Sequence, residues 1–148
     1  MNGKLIFNAN DGRNGTELWT TDGTAAGTRL LADIRTGFAS SFPGERIVYH
    51  GQMIFDADDG VDGRELWITD GTPAGTHFLN DLSPGAGNSN PGGYVLFHDL
   101  IYFGAGTGLW KSDGTGGGRR KCLQPRRRRL ADVFRGRKHR NGQRIVGE

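Results

Sequence analysis

The sequence predicts an all-β fold of antiparallel strands set out in repeated units, and three observations lead to it. The segment Glu17-Leu18-Trp19-Thr20-Thr21-Asp22-Gly23-Thr24-Ala25-Ala26-Gly27-Thr28 returns 48 residues later as Glu65-Leu66-Trp67-Ile68-Thr69-Asp70-Gly71-Thr72-Pro73-Ala74-Gly75-Thr76, and a partial copy follows at Leu109-Trp110-Lys111-Ser112-Asp113-Gly114-Thr115. Flanking landmarks keep that spacing: Phe7, Phe55 and Phe103; Asp33 and Asp81; Gly3 and Gly51. Short alternating runs lie between Gly, Asn and Asp clusters, and no stretch sustains a helical period. A fixed period of this length marks a repeat architecture, in which each unit needs a neighbour to bury its apolar face.

Within one period the pattern gives four strands. The first covers 4–9 and ends at the turn cluster Asp11-Gly12-Arg13-Asn14-Gly15. The second covers 16–21, with Leu18 on one face and Glu17, Trp19 and Thr21 on the other, because strand side chains alternate. Asp22-Gly23-Thr24 opens a turn in which Asp bonds its own backbone and Gly supplies a positive φ. A third strand covers 28–34, a loop runs from 35 to 44, and a fourth strand covers 45–49, with His50-Gly51 as a two-residue hairpin into the next unit. Four antiparallel strands per 48 residues match the blade of a β-propeller, whose repeats run from about 40 to about 50 residues.

The units are then 2–49, 50–97, an incomplete third at 98–115, and an Arg-rich tail at 116–148 expected to be disordered. Phe103 to Trp110 is 7 residues where Phe7 to Trp19 is 12, so the third unit has lost its Asp-Gly turn, and Gly108 stands where Glu is expected. The motif breaks off at Gly116, and the abrupt switch to Arg reads as an out-of-frame translation. A propeller closes with roughly four to eight blades. The expectation is therefore a fragment, a truncated product or a protomer that closes by assembly.

Composition narrows the function classes. The net charge of +3 hides a body, residues 1–118, at −7 and a segment, 119–148, at +10. Cys122 is the single cysteine, which excludes an intrachain disulfide and a Cys-cluster zinc site. No apolar run approaches the ~18 residues of a membrane-spanning helix. The start, Met1 to Phe7, enters a strand without an apolar signal segment.

Glu65-Leu66-Trp67-Ile68-Thr69-Asp70-Gly71-Thr72, followed by Ala74-Gly75-Thr76 and Asn80-Asp81-Leu82-Ser83-Pro84-Gly85, resembles the bacterial ELWxxDGT repeat family, as does the preceding Ile54-Phe55-Asp56-Ala57-Asp58-Asp59-Gly60. The likeness covers about 2–115. It implies propeller-like arrays that are secreted or attached to the cell surface and have no assigned enzymatic activity, so no catalytic residue and no cofactor come with it.

Candidate residues divide into structural and chemical readings. Trp19, Trp67 and Trp110 recur with the unit and are expected to pack between neighbouring units; exposed together, they would stack on sugars. Asp22, Asp70 and Asp113, each followed by Gly-Thr, are expected to staple turns. Asp56, Asp58, Asp59 and Asp62 are the densest carboxylates and the candidates for calcium, although the spacing is not that of an EF-hand loop. His50 and His98 share a hairpin position without a third recurring ligand. Gly104, Gly106 and Gly108 lie between two strands, the wrong context for a phosphate loop. Asn14-Gly15-Thr16 matches a glycosylation sequon. No nucleophile motif such as Gly-x-Ser-x-Gly is present.

These readings lead to a non-enzymatic repeat module, a scaffold or binding surface from an exported or surface-attached protein. Its expected partners are neighbouring repeats, a second copy, or an unidentified protein or carbohydrate. The alternative is nucleic-acid association through Arg126–Arg129, Arg135, Arg137, Lys138 and Arg140, where phosphate contacts would be non-specific and strongly salt-dependent.

Overall fold

Alternating strands and glycine-rich turns fold residues 3–114, which the computed structural model describes, into ten strands and no helix. The first sheet is β1 (Leu5–Asn10), β2 (Thr16–Thr21) and β3 (Arg29–Ala32). The middle sheet is β4 (Arg46–Tyr49), β5 (Gln52–Asp58), β6 (Arg64–Thr69) and β7 (His77–Asn80). The third is β8 (Gly92–Phe97), β9 (Leu100–Ala105) and β10 (Gly108–Ser112). Each sheet is an antiparallel meander in chain order. The all-β class is as the sequence predicts; the basic tail lies outside the described residues.

The strand predicted at 45–49 pairs with β5 across the predicted His50-Gly51 hairpin, so the middle sheet begins ahead of the repeat boundary at 50 and the third, with β8, ahead of 98. The reason is the His50-Gly51 turn. Both residues have positive φ, 49° and 77°, and a two-residue turn of that hand matches the twist of paired strands. The loop from 33 to 45 has no such constraint and becomes the crossover between sheets. Among the described residues only the middle sheet has four strands.

The ladders hold Phe opposite Trp three times: Phe7 with Trp19, Phe55 with Trp67, Phe103 with Trp110. The third pair survives a five-residue deletion because of how the loss is divided. Two residues come out as one cross-strand pair, leaving two pairs beyond the aromatics instead of three. Three come out of the turn, which shrinks from 11–15 to Gly106-Thr107. Removing a whole pair takes one residue from each strand, so register is unchanged.

The core lies between sheets. Leu18, Leu31 and Ile34 of the first unit meet Met53, Phe55 and Ala57, with Trp67 against them. Ile54, Leu66, Ile68 and Tyr49 of the middle sheet meet Ile101, Phe103 and Ala105, with Trp110 against them. β5 is therefore buried on both faces, Phe55 toward one neighbour and Ile54 toward the other. Full burial of a side chain such as Phe55 contributes about 2–3 kcal/mol, and the fully buried apolar side chains lie at these inter-sheet cores.

Candidate functional site

The most elaborate polar constellation is built on the Glu of each motif. Glu17 on β2 is fully buried and accepts hydrogen bonds from Ile34 N (3.0 Å), Ser41 N (2.8 Å) and Ser41 Oγ (2.5 Å). Glu65 on β6 repeats this with Leu82 N (2.8 Å), Ser89 N (2.9 Å) and Ser89 Oγ (2.6 Å). Burial raises both carboxyls above their ordinary range, with the serine and backbone donors opposing it. Each carboxylate pins a crossover loop where the chain passes to the next sheet. Asp58 N donates to Ser41 O (3.0 Å), and Gly106 N to Ser89 O (2.6 Å), so the pinned serine bonds to the neighbouring sheet. The approach is close: a Cβ at Gly63 would lie 2.8 Å from Gly87 O, and Gly63 has φ of 77°.

The Asp-Gly-Thr segments are turns of equal detail. Asp70 Oδ1 accepts from Thr72 N (2.8 Å) and Thr72 Oγ1 (2.6 Å); Thr72 Oγ1 then accepts from Gly75 N (3.0 Å). Asp22 does the same with Thr24 and Gly27. The serine and backbone donors elsewhere serve a buried acid, but here the acids are exposed, and the Thr hydroxyl is the main cause that lowers both carboxyls. The geometry also explains the Gly of Ala-Gly-Thr: a Cβ at Gly75 would sit 2.0 Å from Asp70 Oδ1. At the third segment Gly114 N donates to Ser112 Oγ (3.1 Å), as Gly71 N does to Thr69 Oγ1 (3.0 Å), and the rest of that segment lies outside the described residues.

The calcium candidates are not brought around one point. Asp56 is buried against Arg64, and Asp58 Oδ2 pairs with Arg35 at 2.9 Å. Asp58 Oδ1 accepts from Gly60 N (2.7 Å), and Asp59 Oδ1 from Val61 N and Asp62 N (both 2.8 Å). In the first unit Asn10 Oδ1 accepts from Gly12 N (2.7 Å) in the position of Asp58, so that turn does not require a carboxylate. Among the described residues no group of three or more His, Cys, Asp or Glu is placed to hold a metal ion. Of the carboxylates at which the sequence suggests calcium, Asp56 and Asp58 are engaged by arginines, and Asp58 and Asp59 also accept from the backbone of the β5–β6 turn.

Other predicted positions fall as follows. Trp67 and Trp110 pack at the two inter-sheet cores, while Trp19 lies on a face of the first sheet that no described sheet covers. All three are half-buried rather than enclosed. Trp110 Nε1 donates to Ala105 O (3.1 Å). His50 and His98 are exposed at hairpin tips, each against the preceding ring, Tyr49 at 4.0 Å and Phe97 at 4.1 Å. Gly104, Gly106 and Gly108 span the β9–β10 hairpin. Asn14 donates its side-chain amide to Asp11 within a turn. The cations from Arg126 to Arg140 lie outside the described residues. Sequence reasoning missed the Glu–Ser pairs, although Ser41 and Ser89 stand 24 residues after Glu17 and Glu65 and so carry the 48-residue period themselves.

Comparison of the chain with family models, with curated proteins and with solved structures returned no match.

Proposed function

We propose that the chain is a non-enzymatic repeat module, a scaffold or binding surface of the propeller-like kind, derived from an exported or surface-attached protein. The observation that carries this reading is the use made of its acids. Glu17 and Glu65 hold crossover loops, Asp22 and Asp70 hold turns, and Asp56 and Asp58 are paired with arginines. Catalytic carboxylates face substrate; Glu17, Glu65, Asp22 and Asp70 face their own chain's donors and recur with the repeat. The resemblance of the Glu-Leu-Trp-x-x-Asp-Gly-Thr motif to the exported family supports the same reading.

The competing reading, nucleic-acid association through the basic segment, is separated by fluorescence anisotropy with labelled single- and double-stranded oligonucleotides. The full chain is compared with a variant carrying Arg126→Gln, Arg127→Gln, Arg128→Gln and Arg129→Gln across a salt series. A module predicts no binding that depends on these arginines. Tight binding that falls steeply with salt, and is lost in the variant, would overturn it.

A further inference from the structure

The two internal interfaces have one form. In each, the Phe–Trp face of the later sheet covers the aliphatic face of the earlier one: Phe55 and Trp67 over Leu18 and Leu31, then Phe103 and Trp110 over Leu66 and Ile68. By the 48-residue repeat and the ladder registers, the first sheet carries an unused Phe–Trp face, with Leu5, Phe7, Trp19 and Leu30. The third sheet carries an unused aliphatic face on which Tyr102, Leu109 and Lys111 take the places of Ile54, Leu66 and Ile68. Leu5 is 62% exposed and Leu109 53%. Among the described residues no sheet covers either face.

We infer that these two faces bind each other between copies: the third sheet of one chain docks on the first sheet of a second copy, and the contact made twice closes a dimer. The inference rests on the repeat-module reading and names its partner. Joining unlike faces makes a heterologous contact, which ends in a ring when the rotation closes. Two copies bring six sheets, within the four to eight with which radially repeated sheets close. A face of three short strands measures roughly 15 by 20 Å. One such contact, about 300 Å², is well below the ~600–1,000 Å² per partner of a stable interface, and two together reach its lower end, so the dimer needs both. Lys111, in the slot held by Thr20 and Ile68, places a charge on the aliphatic face and weakens the contact.

Sedimentation velocity of the full chain over a concentration series tests this, with Leu5→Lys and Leu109→Glu breaking one face each. Both positions are more than half exposed, and circular dichroism with thermal melting checks that each variant folds. The wild type is expected to reach a dimer, each variant alone to stay monomeric, and an equimolar mixture to regain a heterodimer, in which one contact is intact and the other sets the introduced lysine against the introduced glutamate. Lys111→Ile is expected to strengthen dimerisation about tenfold in Kd. A wild type that stays monomeric overturns the inference, as does a Leu109→Glu chain that still dimerises, since that result means like faces meet. Neither result bears on the oligonucleotide assay, so the two readings fail separately.

Discussion

The middle and third sheets share an aromatic pair and differ in nearly everything polar. Phe55–Trp67 and Phe103–Trp110 sit in the same ladder register, each closing an inter-sheet core. Yet the middle sheet has Glu65 pinning a crossover loop, and the third has Gly108 in its place. The partners have gone as well. The residue 17 beyond the motif Glu, Ile34 or Leu82, donates its N–H; the matching residue after Gly108 is Pro125, which has none. The residue 24 beyond, Ser41 or Ser89, is matched by Asp132. The difference teaches that apolar stacking and loop pinning are separable: the first tolerates deletion in whole ladder pairs, while the second is a set of donors and one acceptor that is lost together.

The largest effect should come from breaking a pin where it exists. Glu65→Ala leaves buried donors at Leu82 and Ser89 without their acceptor, and each such group costs about 1–3 kcal/mol, so a loss of about 2–4 kcal/mol is expected in chemical denaturation. Glu17→Ala should cost about the same. Gly108→Glu, which restores the letter without the donors, should stabilise nothing. A gain from Gly108→Glu would show that pinning needs the acid alone.

Next is the turn. Gly75→Ala drives a methyl group into the Asp70 carboxylate and should undo the Thr72 and Gly75 hydrogen bonds, a loss of roughly 1–2 kcal/mol read as a lowered Tm. An unchanged Tm would mean that Asp70 swings away freely and that the turn does not depend on it.

The pinned loops explain what was legible in the sequence and what was not. Turns and strands were readable because Gly, Asn and Asp impose local backbone preferences, and the Trp faces because alternation is local too. The phase of the repeat was less so: a cyclic pattern has no privileged start, and although the His50-Gly51 hairpin is readable, it is the ladder from Arg46–Phe55 to Tyr49–Gln52 that assigns β4 to the middle sheet. Glu17 and Glu65 lie on strands, where alternation predicts a face but cannot foresee a loop returning to cover it. The carboxylates from Asp56 to Asp62 show the opposite case: their density is visible in the sequence, but the arginine and turn partners of Asp56, Asp58 and Asp59 are not.

A pH series divides the two kinds of acid. Burial holds Glu17, Glu65 and Asp56 above their ordinary values, 4.5 for the glutamates and 3.8 for Asp56. Stability from a raised carboxyl is full below its unfolded value and is lost as pH rises through the folded one. Asp22 and Asp70 are lowered from 3.8, so theirs is present above that value and is lost on acidification. Stability should therefore peak near pH 4 and decline on both sides. Glu65→Gln should flatten the decline above pH 4.5 while leaving the acid limb intact. An alkaline slope that does not change would mean that Glu65 titrates alike in the folded and unfolded chain.

The smallest effect compares two hairpins with the same backbone. His50-Gly51 joins β4 to β5 with φ of 49° and 77°, and His98-Asp99 joins β8 to β9 with φ of 48° and 53°. The left-handed region costs an L-residue about 1–2 kcal/mol, less for Asp, whose side chain bonds locally, and nothing steric for Gly. Asp99→Gly should thus stabilise the chain by about 0.5–1 kcal/mol, offset in part by the greater freedom of Gly when unfolded. The Tyr49 hydroxyl donates to Asp99 O at 2.7 Å, a backbone acceptor that the substitution keeps, so the effect is conformational rather than a lost contact. Gly51→Asp is the mirror experiment: its Cβ meets nothing within 4 Å, so it should cost a similar amount for strain alone. Equal and opposite shifts in the denaturation midpoint would show that the turns are interchangeable. A large loss from Gly51→Asp beside no gain from Asp99→Gly would mean that the β4–β5 turn, which sets the sheet boundary, is held more tightly than its counterpart.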